Sequence, residues 1–200
     1  MAKASWAVVN PSSGSGNKTV NVSSSTEHTG RTARQTTLTI TAANVTPVTV
    51  DVNQAGKPQY VDSHDSASAS KGGQNVTISG KSNSKALTFT LGAGSLSVTV
   101  PSAYTAASLN TENGQEIQGD PGASAEYVWS IVVNVPENDT IDELSRQIIV
   151  TDESGNSDIC TLTQASGDAT LTVSKTTVEL DYTGTPVSID ITSNTSWTIS

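Results

Sequence analysis

The sequence predicts an all-β protein, and three observations carry that prediction. Period-2 alternation of apolar and polar residues recurs along the whole chain, while no window carries the i, i+3, i+4, i+7 apolar spacing of a helix. Hydrophobic residues make up 34% of the 200 and are mostly Val, Ile, Leu and Ala, set in short runs within a background of Ser, Thr, Asn and Gly. That is the composition of sheets with one wet face. Turn clusters such as Pro11-Ser12-Ser13-Gly14-Ser15-Gly16 punctuate the runs. Helices are expected to be few and short.

Taken in order, the first block reads as strands at residues 6–9, 19–22, 37–41 and 48–52. The second block reads as strands at residues 76–78, 86–91, 96–100, 129–135, 147–151 and 159–164. About six or seven short strands within about 100 residues is the signature of an immunoglobulin-like β-sandwich. A chain of this length holds one large or two ordinary domains and can bury roughly 70% of the surface it exposes when unfolded.

Comparing the chain with itself reveals a repeat. In the first copy Val20-Asn21-Val22 leads to Arg34-Gln35, then to Leu38-Thr39-Ile40-Thr41, and the last strand closes on Gln54-Ala55-Gly56. In the second, Val133-Asn134-Val135 leads to Arg146-Gln147, then to Ile148-Ile149-Val150-Thr151, and the last strand closes on Gln164-Ala165-Ser166-Gly167. A third copy opens with strands expected at 171–173, 178–180 and 187–191, followed by Ser196-Trp197-Thr198-Ile199, which matches Ser5-Trp6-Ala7-Val8. The expected division is a tandem of immunoglobulin-like units: 1–61 without its opening strands, 62–168 with a long insertion at 103–126, and 169–200 as the opening strands of a third. Unpaired edges in such partial units invite association. Either the third unit continues past Ser200, or residues 170–200 supply the strands missing from the first unit, in their own chain or in a neighbour.

The repeat resembles the BACON domain, an immunoglobulin-like module of gut Bacteroidetes proteins and of crAss-like phages. Three features carry the resemblance: Ser193-Asn194-Thr195-Ser196-Trp197-Thr198-Ile199, an Arg before an alternating strand at Arg34 and Arg146, and the closing Gln54-Ala55 and Gln164-Ala165. It covers most of residues 5–56 and 127–200. The resemblance implies an accessory binding module of secreted glycoside hydrolases, for which a glycan or mucin ligand is proposed, or a component of a phage particle.

Catalytic chemistry requires specific partners, and the sequence offers two histidines, His28 and His64, both in polar loops, and one cysteine. Cys160 lies in an alternating run and reads as a strand residue. The acids Glu137, Asp139, Asp142 and Glu143 read as a solvated loop. The turn 152–158 lacks the ordered carboxylate spacing of a calcium loop and reads as a hairpin about Gly155-Asn156. Gly14-Ser15-Gly16 has no helix after it to cradle a phosphate. No catalytic residue, cofactor or metal is therefore expected.

Sugar binding requires exposed aromatic faces, and the chain holds three Trp, four Tyr and one Phe. Trp6 and Trp197 share one repeat position and are expected in the core. Trp129, Tyr127 and Tyr104 remain as a possible glycan platform.

With 19 acidic against 10 basic residues, a net charge of −9 argues against nucleic acid. No run approaches the roughly 20 apolar residues of a membrane helix, and the first residues carry no apolar leader. The expectation is a non-enzymatic virion protein, an auxiliary capsid or head-fibre decoration protein, which contacts the phage capsid or sister copies through strand edges as a homo-oligomer. The alternative is a carbohydrate- or mucin-binding module at a bacterial cell surface.

Overall fold

A computed structural model of the chain describes residues 2–101, 103–105 and 119–200, with 103–105 and Pro121 taken as backbone only. The chain is nearly all β. Its strands are β1 Ala7–Asn10, β2 Asn21–Ser24, β3 Arg34–Ala42, β4 Val45–Gln54, β5 Val61–Ser63, β6 Ser66–Ala69 and β7 Gln74–Ser82. They continue with β8 Ala86–Gly94, β9 Ala103–Thr105, β10 Tyr127–Val135, β11 Leu144–Asp152, β12 Ser157–Gln164, β13 Leu171–Val173 and β14 Ile191–Ser193. Among the described residues, one 3-10 turn at Pro121–Ala123 is the sole helical element, and no helix is long and apolar enough to cross a membrane.

One core dominates, and it lies in the middle of the chain. A three-stranded sheet in the order β10-β7-β5 faces a five-stranded sheet in the order β6-β12-β11-β8-β9. Alternate residues of β10 (Tyr127, Trp129, Ile131, Val133, Val135) point inward and meet Leu87 and Phe89 of β8, Ile148 and Val150 of β11, and Cys160 and Leu162 of β12. Each large side chain buried in this way contributes about 1.5–3 kcal/mol. Phe89 meets Trp129 edge-on with ring centroids 5.4 Å apart, and the Trp129 indole N–H donates to the Asp62 carbonyl at 3.1 Å.

The flanking segments are thinner. Residues 2–56 form two separate two-stranded sheets, β1-β2 and β3-β4, and residues 169–200 form one, β13-β14. The hairpins β3-β4 and β11-β12 are nevertheless copies in register. Arg34 faces Gln54 and Leu38 faces Val50 in one, and Leu144 faces Gln164 and Ile148 faces Cys160 in the other. Each equivalent pair stands 110 residues apart in the sequence. In the central unit this apolar face is covered by the opposing sheet. In the first unit Ile40 remains 59% exposed and Val50 44% exposed.

Several expectations change. Residues 96–100 alternate as a strand should, and Leu96 and Val98 are buried, yet they form no ladder. Alternation records which side chains face the core, not whether a neighbouring backbone is within reach. Residues 178–180, 187–190 and 196–199 likewise form no ladder, although the Asp190 carbonyl accepts the Ser174 amide at 2.9 Å. The short strands β5, β6 and β9 leave little trace in the sequence, because Ser66-Ala67-Ser68-Ala69 and its like carry little apolar signal; their partner strands define them. The Trp6 and Trp197 positions are not core: Trp6 is half-buried beneath the Arg34 guanidinium, whose carbon lies 4.7 Å from the ring centroid, and Trp197 is 48% exposed.

Candidate interaction surfaces

Two of the three residues expected as a glycan platform lie in the core. Tyr127 is 1% exposed and Trp129 2% exposed, both on the inward face of β10, so neither offers a ring to a sugar. Burial pushes the Tyr127 phenol up to about 12. Tyr104 falls in β9, paired with Leu87, but its side chain lies outside the described residues.

Two carboxylates of the 152–158 turn, Asp152 and Asp158, are taken up by the fold. In the β11-β12 turn, where Gly155 sits at φ +86°, Asp152 Oδ1 accepts from the Ser154 and Asn156 amides at 2.8 and 2.9 Å, and its Oδ2 accepts from the Asn156 side chain. Asp158 Oδ2 accepts from the Ser63 amide at 2.7 Å and its hydroxyl at 3.1 Å, tying β5 to β12. In the loop 136–143 Glu137, Asp139, Asp142 and Glu143 face solvent, while Asn138 is buried and orders the loop. The Asn138 amide donates to the carbonyls of Asp142 and Ala165 at 2.8 and 3.0 Å. His28 is buried and bonded to the Thr32 carbonyl at 2.6 Å; His64 is exposed in the β5-β6 loop. Cys160 is buried on β12, which pushes its thiol up to about 11. No group of three His, Cys, Asp or Glu among the described residues is placed to hold a metal.

Matching sets of hydrogen bonds form where the central sandwich meets the segments on either side. At the first, the buried Asn83 amide donates to the carbonyls of Thr29, Lys57 and Pro58 at 3.1, 3.3 and 3.1 Å, and its oxygen accepts the Tyr60 amide at 3.1 Å. At the second, the Asn194 amide donates to the carbonyls of Asp139 and Asp168 at 2.9 and 2.8 Å, and its oxygen accepts the Thr170 amide at 2.9 Å. Preceding each Asn, a serine repeats the pattern: Ser82 donates to the Tyr60 carbonyl at 2.7 Å, Ser193 to that of Thr170 at 2.8 Å. The loops that receive these donors also match. Lys57 N–H donates to the Gly30 carbonyl at 2.8 Å, and Gly167 N–H to that of Thr140 at 2.7 Å. His28 and Asn138 each bond the carbonyl four residues ahead. Every one of these counterparts is 110 or 111 residues away.

The first joint has further contacts. Arg31 and Thr32 amides donate to the carbonyls of Gly122 and Ala123 at 3.0 and 2.9 Å. The Arg31 guanidinium forms a two-pronged ion pair with Asp120, with Nη1 at 2.6 Å from Oδ1, and this hydrogen bonding holds the Asp120 carboxyl below its ordinary range. A Cβ at Gly30 would lie 2.3 Å from the Ser124 backbone, so only glycine permits this approach.

The Ser82-Asn83 joint is hidden in the sequence because Ala86 and Leu87 follow it where Trp197 follows Ser193-Asn194; its signal is the Ser-Asn pair itself, recurring 111 residues on. The Arg features also shift. Measured from the terminal Gln, Arg34 occupies the position of Leu144, two residues before that of Arg146. Arg34 binds Gln54 Oε1 at 2.9 Å, whereas Arg146 binds the Leu96 and Gly92 carbonyls at 2.8 and 3.0 Å.

Fold and surfaces together define an all-β chain with one well-packed core, which the segments 2–56 and 169–200 meet through matching joints. No protein-family model matches the chain, and no curated protein sequence matches it.

Proposed function

We propose that the chain is a non-enzymatic structural protein of tandem immunoglobulin-type, BACON-like units. Its role in this reading is that of an auxiliary capsid or head-fibre protein on the surface of a Bacteroides-type, crAss-like phage. The observation that carries the structural part is the recurrence of one joint at two places, with the same residue types making the same bonds. An enzyme gathers its buried polar groups around one cleft; here Ser82 and Asn83 fix neighbouring segments to each other, while Ser63, Asp152 and Gln164 tie strands and turns within the central sandwich. The phage setting comes from the resemblance of the repeat to the BACON module. The carbohydrate-binding alternative is weakened, since two of its three platform residues sit in the core.

Immunogold labelling and mass spectrometry of purified phage particles test the reading. Stoichiometric label on the particle surface is expected. Protein confined to the infected-cell lysate and absent from purified particles would overturn the virion assignment.

A further inference from the structure

The uncovered face of β3-β4 has a defined occupant, because the central unit serves as its template. There, the edge of β12 pairs in parallel with β6, with Leu162 facing Ala67 and Gln164 facing Ala69, and β7 lays Val76 and Ile78 across the core. The counterparts of β12 are the residues of β4, and no strand pairs with the free edge of β4 among the described residues. The counterparts of β6 and β7 lie in the last segment. Gly73 and Gly184 both sit at positive φ, +75° and +72°, and their amides donate to the Ser70 and Asp181 carbonyls at 3.2 and 3.0 Å. That fixes the register at 111 residues, which places Val178 and Leu180 where the central unit has Ala67 and Ala69, and Val187 and Ile189 where it has Val76 and Ile78. Val76 and Ile78 are buried, whereas Ile189 is 46% exposed and Leu180 62% exposed.

A chain cannot cover its own face this way. The first unit docks beside Asn83, just past the Ser82 end of β7, and the last unit docks on Asp139 and Asp168, beside the loop that meets Gly73 just before the Gln74 end. Nine strand residues separate these ends, a distance of about 30 Å at the rise of a β-strand.

We propose that residues 171–193 of a second copy complete the first unit. Residues 177–180 add as a parallel strand to residues 51–54 of β4, with Val178 beside Val52 and Leu180 beside Gln54, and Val187 and Ile189 cover Val50 and Ile40. Because the two surfaces differ, the contact is heterologous and runs head to tail, which generates linear chains or closed rings. The inference rests on the repeat-unit part of the proposed function. Its test uses the purified chain alone, so its failure leaves the virion assignment standing.

The test is a double variant of the full chain, Asn53→Cys with Glu179→Cys, oxidised mildly and analysed on non-reducing gels and by light scattering. Both positions face solvent, and neighbouring strands lie within disulfide reach. Cys160 is buried and stays out of the reaction. The expected result is a ladder of covalent dimers and higher multiples, absent from the out-of-register control Thr39→Cys with Glu179→Cys. A second variant, Leu180→Asp, alters an exposed residue, so its urea midpoint should match the parent while association weakens at least about tenfold. A parent chain that remains monomeric at its highest soluble concentration, or a cross-link confined to the monomer, would assign the face to another occupant and overturn the proposal.

Discussion

Replacing the joint asparagines gives a matched pair of perturbations, because Asn83 and Asn194 make corresponding bonds at different burial. Asn83 is fully buried, and Asn83→Ala leaves the Tyr60 amide without its acceptor and the carbonyls of Thr29, Lys57 and Pro58 without their donor. A buried polar group stripped of its partner costs about 1–3 kcal/mol, while a hydrogen bond that water can replace is worth about 0.5–1.5 kcal/mol. Several groups lose partners at once, and some gain water as the joint relaxes, so Asn83→Ala is expected to cost about 2–4 kcal/mol. Asn194 is only half-buried, and solvent can reach its partners; Asn194→Ala is expected to cost about 1 kcal/mol or less. Urea titration followed by circular dichroism measures both, and limited proteolysis shows where each chain opens. Cleavage at residues 57–60 should accelerate in Asn83→Ala and not in Asn194→Ala. Equal losses in the two variants, or a loss below about 0.5 kcal/mol for Asn83→Ala, would refute the claim that burial of this amide fixes the joint.

Trp129→Ala removes the largest core side chain and should cost about 3–5 kcal/mol; retention of stability with loss of binding on a glycan array would instead restore the platform reading. Asp120 is held below its ordinary value of 3.8 chiefly by its hydrogen bond from Arg31. A depressed carboxylate adds stability that is complete above the unfolded value and disappears as pH falls through the folded one. The Asp120 contribution to the first joint should therefore be retained above about pH 4 and lost in more acid solution, together with that of Glu126, which the Tyr60 hydroxyl also holds below its ordinary value, as read by proteolysis at 57–60 with an acid-active protease. Asp120→Asn should reduce that acid dependence and leave the share that Glu126 carries, and an unchanged profile in this variant would remove Asp120 as a source. Cys160 should resist thiol reagents in the folded chain at pH 8, since burial pushes its thiol up to about 11, and label in step with unfolding; rapid labelling of the native chain would contradict its place in the core.

How much was legible in the sequence depended on which physical signal each element leaves. β3, β4, β7, β8, β10, β11 and β12 were readable because apolar alternation repeats over several residues, and their observed bounds differ from the expected ones mainly at the ends. β6 was not, because two Ala residues between serines leave almost no amphipathic contrast, and its existence depends on the β12 backbone beside it. The aromatic assignments failed for a related reason. Trp129 and Trp197 are equally apolar in sequence, yet one meets Phe89 inside a closed core while the other lies on a segment with no facing sheet. Burial is a property of what covers a strand, and the covering strand can lie more than 100 residues away or in another molecule.

The joints show why the most informative residues were the small polar ones. Apolar strand positions tolerate exchange among side chains of similar volume, and the two hairpins differ accordingly: Leu38 against Ile148, Val50 against Cys160. A joint is less forgiving. The linker presents backbone carbonyls and an amide to the same side chain, so the residue there must both donate and accept within a short reach. Asparagine meets both demands; aspartate would set a negative charge against the carbonyls, and a longer glutamine would have to fold back. The identity of Asn83 and Asn194, and of the serines before them, thus follows from the geometry of the linker, whatever apolar residues fill the units on either side.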